Sequence, residues 1–176
     1  MNPTPSHETI FPKWLEEYRG IIVKVMRSFA RSPAEVTELE QELQLQLWIS
    51  LKFYTGQAKP STWIYRVCLN TALTWRRGTA RRECHIEPTA DVTLLATATA
   101  SPAEAASERE ILEKLYAAIQ ALPDFDRALV LLSLDELPYR EIAEITGLTE
   151  NHVGVALMRA RKRLAALLKG VTDELE

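Results

Sequence analysis

Only two cysteines occur in the 176 residues, Cys68 and Cys84; neither has a CxxC partner, and His85 beside Cys84 does not by itself make a metal-ligand spacing. That excludes a disulfide framework, supplies no zinc-type ligand set and points to a reducing compartment. The opening MNPTPSHETIF lacks the basic region and apolar run of a secretory signal, and no stretch approaches the roughly 18 apolar residues of a membrane span. A soluble, cytoplasmic protein is therefore expected. No period-2 strand pattern and no internal repeat of fixed length occurs, which leaves an all-α chain and excludes a solenoid. Catalytic constellations are missing as well. Glu35, Glu38, Glu40 and Glu42 are clustered, but they have no histidine, glycine-rich loop or opposing acid to work with. Neither an enzyme nor a bound cofactor or metal is expected.

Acidic residues are absent from two long stretches, Leu43 to Arg82 and Asn151 to Thr172, although the chain as a whole carries a formal charge of −3. The positive charge is thus segregated, as nucleic-acid binding in a slightly acidic protein requires. The second stretch belongs to Pro138–Lys169, which reads as two helices joined by a tight turn. Pro138 suits a first helical position, Gly147 a left-handed C-cap, and Thr149 an N-cap. Ala143, Gly147 and Val153 are the small, turning and pinning positions of a helix-turn-helix, whose second helix is offered to the DNA major groove. Val153, Leu157, Ala160 and Leu164 share one face, so that Arg159, Arg161, Lys162, Arg163 and Lys169 project mostly away from the core. A helix pair with a solvated basic face is the plainer alternative.

The other acid-free stretch starts in a helix. An amphipathic helix is expected from Phe11 or Trp14 to Ala30, after loose residues 1–10, and is ended by Arg31-Ser32-Pro33. Ser32, Pro33 and Glu35 form a capping-box start for a second helix running to about Lys52, with Val36, Leu39, Leu43 and Leu47 buried. Its neighbouring stripe of Glu35, Glu38 and Glu42 is either a solvated face or a docking surface. FYTGQAKP (53–60) is a loop, and a third helix follows from about Ser61 to Arg77. Lys52, Lys59, Arg66, Arg76, Arg77, Arg81 and Arg82 alternate here with Phe53, Tyr54, Trp63, Tyr65 and Trp75. Cations that track phosphates, mixed with rings that stack on unpaired bases, suit single-stranded nucleic acid; core aromatics beside solubilising arginines are the alternative. From Cys84 to about Ser107 the composition turns to Ala, Thr, Pro and Ser, a flexible linker in which Leu94-Leu95 is an isolated apolar pair. Helix resumes near Ala103 or Ser107 and runs to Leu122, and Asp124 is placed to cap a further short helix before Pro138.

Two separated blocks resemble one family in its own order. ELEQELQLQLW (38–48) with FYTGQAKPSTWIYRVCLNTALTWRR (53–77) resembles region 2 of the compact sigma factors of bacterial RNA polymerase, and residues 118–164 resemble region 4. In the second block, LPxxxRxxxxL followed by YxEIAxxxGL and RARxRL is the more specific signature. The chain thus looks like a member of the extracytoplasmic-function group of the sigma-70 family. The resemblance implies two small helical domains, residues 11–83 and 108–170, joined by a linker at 84–107. It also implies core RNA polymerase and promoter DNA as partners, the latter duplex at −35 and melted at −10, with an anti-sigma factor as a regulator. Glu38, Gln41 and Glu42 would dock on the polymerase clamp. Phe53, Tyr54, Lys59, Trp63, Arg66, Asn70, Arg76 and Arg77 would recognise the −10 element, with Trp63 and Tyr65 also open to a packing role. Glu150, Asn151, His152, Val155 and Arg159 would read the −35 element, with Arg161 and Lys162 contacting phosphates.

Two departures from the family pattern stand out. His152-Val153-Gly154-Val155-Ala156 replaces the usual Thr-Val-x-Ser-Arg entry to the recognition helix, which implies either a close backbone approach to DNA, with Val155 against a thymine methyl, or a weaker −35 readout. Thr74-Trp75 stands where an acidic residue is common, which bears on −10 specificity. A stand-alone helix-turn-helix regulator with a helical effector or dimerisation domain is the competing reading; it predicts duplex binding without polymerase.

Overall fold

The computed structural model describes residues 7–83 and 102–173, and every regular element among them is an α-helix. In chain order these are α1 (His7–Glu17), α2 (Arg19–Phe29), α3 (Pro33–Leu51), α4 (Pro60–Glu83), α5 (Pro102–Gln120), α6 (Asp124–Leu134), α7 (Tyr139–Thr146) and α8 (Glu150–Asp173). Cys84, the Leu94-Leu95 pair and most of the expected linker lie outside the described residues; the linker's last positions, from Pro102, are already helical. Residues 7–10, expected to be loose, open α1.

The single first helix expected from its apolar spacing is two. Tyr18 leaves the helical region at φ −106°, ψ 18°. The stripe Phe11, Trp14, Leu15, Tyr18, Ile22, Val25, Met26, Phe29 keeps helical spacing across this break, so periodicity cannot reveal it. The cause is tertiary: Trp14 is drawn to Tyr54 and Trp63 (ring centroids 5.0 and 5.8 Å) and Phe11 to Trp48 (5.1 Å), while Ile22, Val25, Met26 and Phe29 enter the core.

Local chemistry sets the remaining helix ends. Ser32 caps α3 by accepting the Glu35 N–H at 3.2 Å. The returning half of the capping box is shifted by one residue, for the Glu35 carboxylate accepts from the Arg31 N–H. Leu39, Leu43, Leu47 and Leu51 form the buried stripe of α3, and Val36 is half-buried at its start. α4 continues past Arg77 to Glu83. Pro123 rather than Asp124 is the N-cap of α6, its carbonyl accepting the Arg127 N–H at 2.9 Å, so Asp124 and Asp126 sit in the first turn where the helix dipole favours acids. Pro138 likewise is the N-cap of α7 instead of its first residue, accepting from Ile142 N–H.

Between α6 and α7 the chain turns through a Schellman arrangement. Leu137 N–H donates to the Leu132 carbonyl and Glu136 N–H to that of Ser133, with Glu136 in the left-handed region at φ 55°. Arg127, on α6, is the largest fully buried side chain. It donates to the carbonyls of Ile119, Gln120 and Leu122 at 2.7–3.2 Å, closing the C-terminus of α5, and its guanidinium lies 4.9 Å from the Phe29 ring centroid. Burial pushes its pKa down to about 10, which leaves it charged at neutral pH.

Packing joins the helices preceding residue 84 to those following residue 101. One apolar cluster includes Phe29, Leu39 and Tyr65 from the first group and Leu132, Ile142, Ile145 and Leu157 from the second. A smaller cluster, Ile119, Leu122, Val130 and Ala160, binds α5, α6 and α8 together.

Candidate nucleic-acid interfaces

The helix-turn-helix forms as its turn chemistry predicts. Gly147 takes φ 75° and donates its N–H to the Ala143 carbonyl at 2.9 Å, and Thr149 Oγ1 accepts the His152 N–H at 3.4 Å. Val153, Leu157 and Ala160 are fully buried, which fixes the opposite face of α8 outward. Glu150, Asn151, His152, Val155, Arg159, Arg161 and Lys162 are all exposed, with Asn151, His152, Val155, Arg159 and Lys162 on that face and Glu150 and Arg161 on its flank. Arg161 hydrogen-bonds Ser133 and Arg163 pairs with Asp126, so two of the basic residues also bind α8 to α6. Sequence reasoning passed over Met158, which is 66% exposed on the same surface one turn beyond Val155.

Gly154, one of the departures from the family pattern, lies beneath Tyr139 at the start of α7. A Cβ there would meet the Tyr139 ring at 3.4 Å, an ordinary contact, so packing does not demand glycine. Glycine inside a helix costs ~1 kcal/mol relative to alanine. Gly154→Ala is accordingly expected to raise the melting temperature by ~2–4 °C. A fall in melting temperature on calorimetry would mean that the Tyr139 contact is tighter than this geometry implies.

The loop between α3 and α4 separates its two aromatics. Tyr54 is half-buried: its hydroxyl donates to the Ala58 carbonyl at 2.8 Å and its ring meets Trp14 and Trp63. Trp63 shares that cluster and is half-buried, so it anchors the loop. Phe53 is left outside at 71% exposure, with the Lys52 ammonium 4.9 Å from its ring centroid. Gly56 turns the loop at φ 77°.

Along α4, Arg66, Asn70, Thr74 and Arg77 recur at steps of four, four and three, and form one outward line. Asn70, Thr74 and Arg77 are exposed, whereas Arg66 is half-buried. Arg76 departs from the expectation that it faces DNA. It is 5% exposed and its guanidinium lies 3.7 Å from the Glu35 carboxylate. The reason is legible afterwards, because Leu69, Ala72, Arg76 and Thr79 are at helical spacing along the buried side of α4; a pair of adjacent arginines on a helix cannot share a face. Trp75 and Tyr65 are buried too. Cys68 is fully buried and its thiol pKa is pushed up to about 12 by that burial, leaving it protonated.

Two features of α3 were not foreseen. Its outward side continues Glu38, Gln41 and Glu42 into Leu45, Trp48 and Ile49, three large apolar residues at 41–50% exposure. The acidic stripe is therefore one end of a mixed acidic and apolar face. Between α3 and α4 runs a groove of about 400 Å³ lined by Glu42, Gln46, Ser50, Asn70, Thr71 and Thr74 among others. Its amides and hydroxyls can both donate and accept hydrogen bonds.

Polar contacts also link α4 and the loop before it to the helix-turn-helix. Glu141 on α7 pairs with Lys59 and accepts from Thr62, while Asp135 in the α6–α7 turn pairs with Lys24 and accepts from the Tyr65 hydroxyl. Burial, followed by that carboxylate, holds the Tyr65 pKa well above the usual tyrosine range.

Among the described residues no helix is long and apolar enough to cross a membrane. Residues 14–82 match the family model for sigma-70 region 2, and residues 112–164 that for sigma-70 region 4. The chain is 30% identical over 159 residues to the ECF RNA polymerase sigma factor SigM of Bacillus subtilis, covering 89% of this chain and 94% of that protein. It is 26% identical over 141 residues to the ECF RNA polymerase sigma-E factor of Escherichia coli, covering 74% and 72%. In fold it is similar to the sigma factor RpoE of Bartonella quintana, solved in complex with the anti-sigma factor NepR. That match has a TM-score of 0.65 and 16% identity and covers 92% of this chain and 96% of the other.

Proposed function

The chain belongs to the extracytoplasmic-function group of RNA polymerase sigma factors, and from that premise we propose how its surfaces divide the work of promoter-specific initiation. Helices α1–α4 form the unit that docks on core polymerase and reads the −10 element, and α5–α8 form the unit that reads the −35 element. The chain would perform no bond chemistry itself; catalysis belongs to the polymerase it directs, in the cytoplasm.

The single observation that carries the −10 assignment is the coincidence of Phe53, exposed and unsupported by the aromatic cluster, with the Arg66-Asn70-Thr74-Arg77 line and the polar groove beside it. An exposed ring offers stacking to a melted base, worth ~1–3 kcal/mol, and the arginines track the strand's phosphates. Asn70 and Gln46 can read a base edge in the groove. Lys59 contributes once it is released from Glu141. Tyr54 and Trp63 hold the loop in shape, and Arg76 steadies the start of α3 through Glu35. Capture of unstacked bases offsets the few kcal/mol of opening.

At −35, Glu150, Asn151, His152, Val155 and Arg159 face the major groove and Arg161 and Lys162 the phosphates. The Glu38-Gln41-Glu42 stripe, with Leu45, Trp48 and Ile49, forms the polymerase-docking face. An anti-sigma factor is a further expected partner, as in the complex of the Bartonella quintana factor.

The test is transcription of the source genome in vitro by purified core polymerase with this protein added, with RNA starts mapped. New starts that share a bipartite upstream motif are expected. No added start, together with tight duplex binding by the protein alone, would instead establish a stand-alone regulator.

A further inference from the structure

We propose that Val155 and Met158 together select thymine at adjacent base pairs by seating its methyl group, an inference that rests on α8 reading the −35 element. Val155 stands at the middle of the outward face, about 160° round the helix from both Val153 and Leu157. Those two are fully buried, so Val155 points away from the core, and it is 46% exposed. Met158 lies three residues on, on the same side, and is 66% exposed. Between Asn151 and Lys162 the other exposed residues of this face all carry polar groups: Asn151, His152, Arg159 and Lys162. The neighbours of Val155 are taken up elsewhere. A Cβ on Gly154 would meet the Tyr139 ring at 3.4 Å, and Ala156 packs half-buried against the core. Gly154 thus faces α7. Of the two explanations for the His152–Ala156 departure that invoke tight contact, an apolar side chain at Val155 fits this geometry and a bare backbone at Gly154 does not.

Such a pair has one complement in duplex DNA. The major-groove edges display donors, acceptors and, on thymine alone, a methyl group. Over any other edge an aliphatic side chain covers a polar atom without satisfying it. Val155 and Met158 are about 4.5 Å apart along the helix axis, against ~3.4 Å between base pairs, so they address the same or neighbouring pairs. The flexible thioether of Met158 adapts to the shape it meets. Asn151 and Arg159, one turn to either side of Val155, carry the hydrogen-bonding groups suited to adenine and guanine. The face therefore specifies thymine at its centre and purines beside it. A protein surface is the other occupant an apolar patch could take. Charge favours DNA, because Arg159 and Lys162 border the patch and no acidic residue occurs from Asn151 to Thr172.

The experiment replaces thymidine by deoxyuridine, one position at a time, in the −35 element of a promoter mapped with core polymerase and this protein. Each replacement removes a methyl group and keeps the base pairing. Burial of one methyl corresponds to a factor of about 4 in affinity, so a loss of about 3- to 5-fold in promoter binding is expected at each of one or two positions. Val155→Ala with Met158→Ala should weaken binding to the thymidine promoter by about 10-fold and abolish the deoxyuridine penalty, the coupling that contact between them requires. Both residues are exposed, so the double variant is expected to keep its helical circular dichroism. A −35 motif without a T·A pair, deoxyuridine tolerated at every position, or a penalty that persists in the double variant would overturn the proposal. So would a double variant that binds promoter normally but loses affinity for a protein partner. Failure of the sigma assignment would show separately, as no start that depends on the protein. The same replacements are then read on the duplex that the protein binds alone, and a protein that binds neither promoter nor duplex overturns both.

Discussion

Arg127→Ala is expected to lower the free energy of unfolding by about 4 kcal/mol and the melting temperature by ~10 °C. The side chain is 1% exposed and its three hydrogen bonds supply donors to the carbonyls of Ile119, Gln120 and Leu122 where α5 ends, the Ile119 carbonyl also accepting the Leu122 N–H at 3.1 Å. Truncation takes the side-chain donors from the Gln120 and Leu122 carbonyls at ~1–3 kcal/mol, opens a cavity, and removes the cation from the Phe29 ring. Arg127→Met separates the contributions. It fills much of the volume without restoring donors, so it should recover part of the loss and no more. A melting temperature for Arg127→Ala within 2 °C of wild type, by calorimetry, would refute the capping role.

The second large effect concerns the outer face of α3. Reversing Glu38 and Glu42 to lysine is expected to weaken binding to core polymerase by roughly 100-fold, since like charges placed across an interface cost several kcal/mol. Leu45→Ala with Trp48→Ala should weaken it as well, through lost apolar contact at the same face. Competition binding against a labelled reference sigma factor measures both. Unchanged affinity after charge reversal would remove α3 as the docking face and return its glutamates to a solvated role. The measurement has a built-in contrast: Asn70→Ala, in the polar groove, should leave polymerase affinity intact and reduce promoter opening.

These two sites differ in how far they could be read in advance. The glutamate stripe was visible from spacing alone, but the apolar continuation through Leu45, Trp48 and Ile49 was not. Along α3 leucines recur so often that periodicity cannot say which ones are covered. Arg127 was visible only as a letter in a family motif. Its burial depends on α5 ending where α6 begins, and that is a contact between elements. Among the −10 candidates, spacing could have sorted Arg76 from Arg77 by the face of α4, whereas nothing local distinguishes Phe53 from Tyr54. The partners Trp14 and Trp63 make the difference, by taking one ring and leaving the other in solvent.

What the amino-acid sequence determined by itself was the all-α class, most of the helix limits, the turn at Gly147 and the outward face of α8. Each rests on interactions within about four residues: a cap, a missing N–H, a glycine free to take positive φ, or an apolar stripe of helical period. Tertiary structure alone decided the break at Tyr18, the burial of Arg127, the exposure of Phe53, and the seating of Asp135 and Glu141 on Lys24 and Lys59. Those outcomes depend on which distant face covers which residue. Period-3.6 patterning says that a side must be buried, but only the packed neighbour says against what.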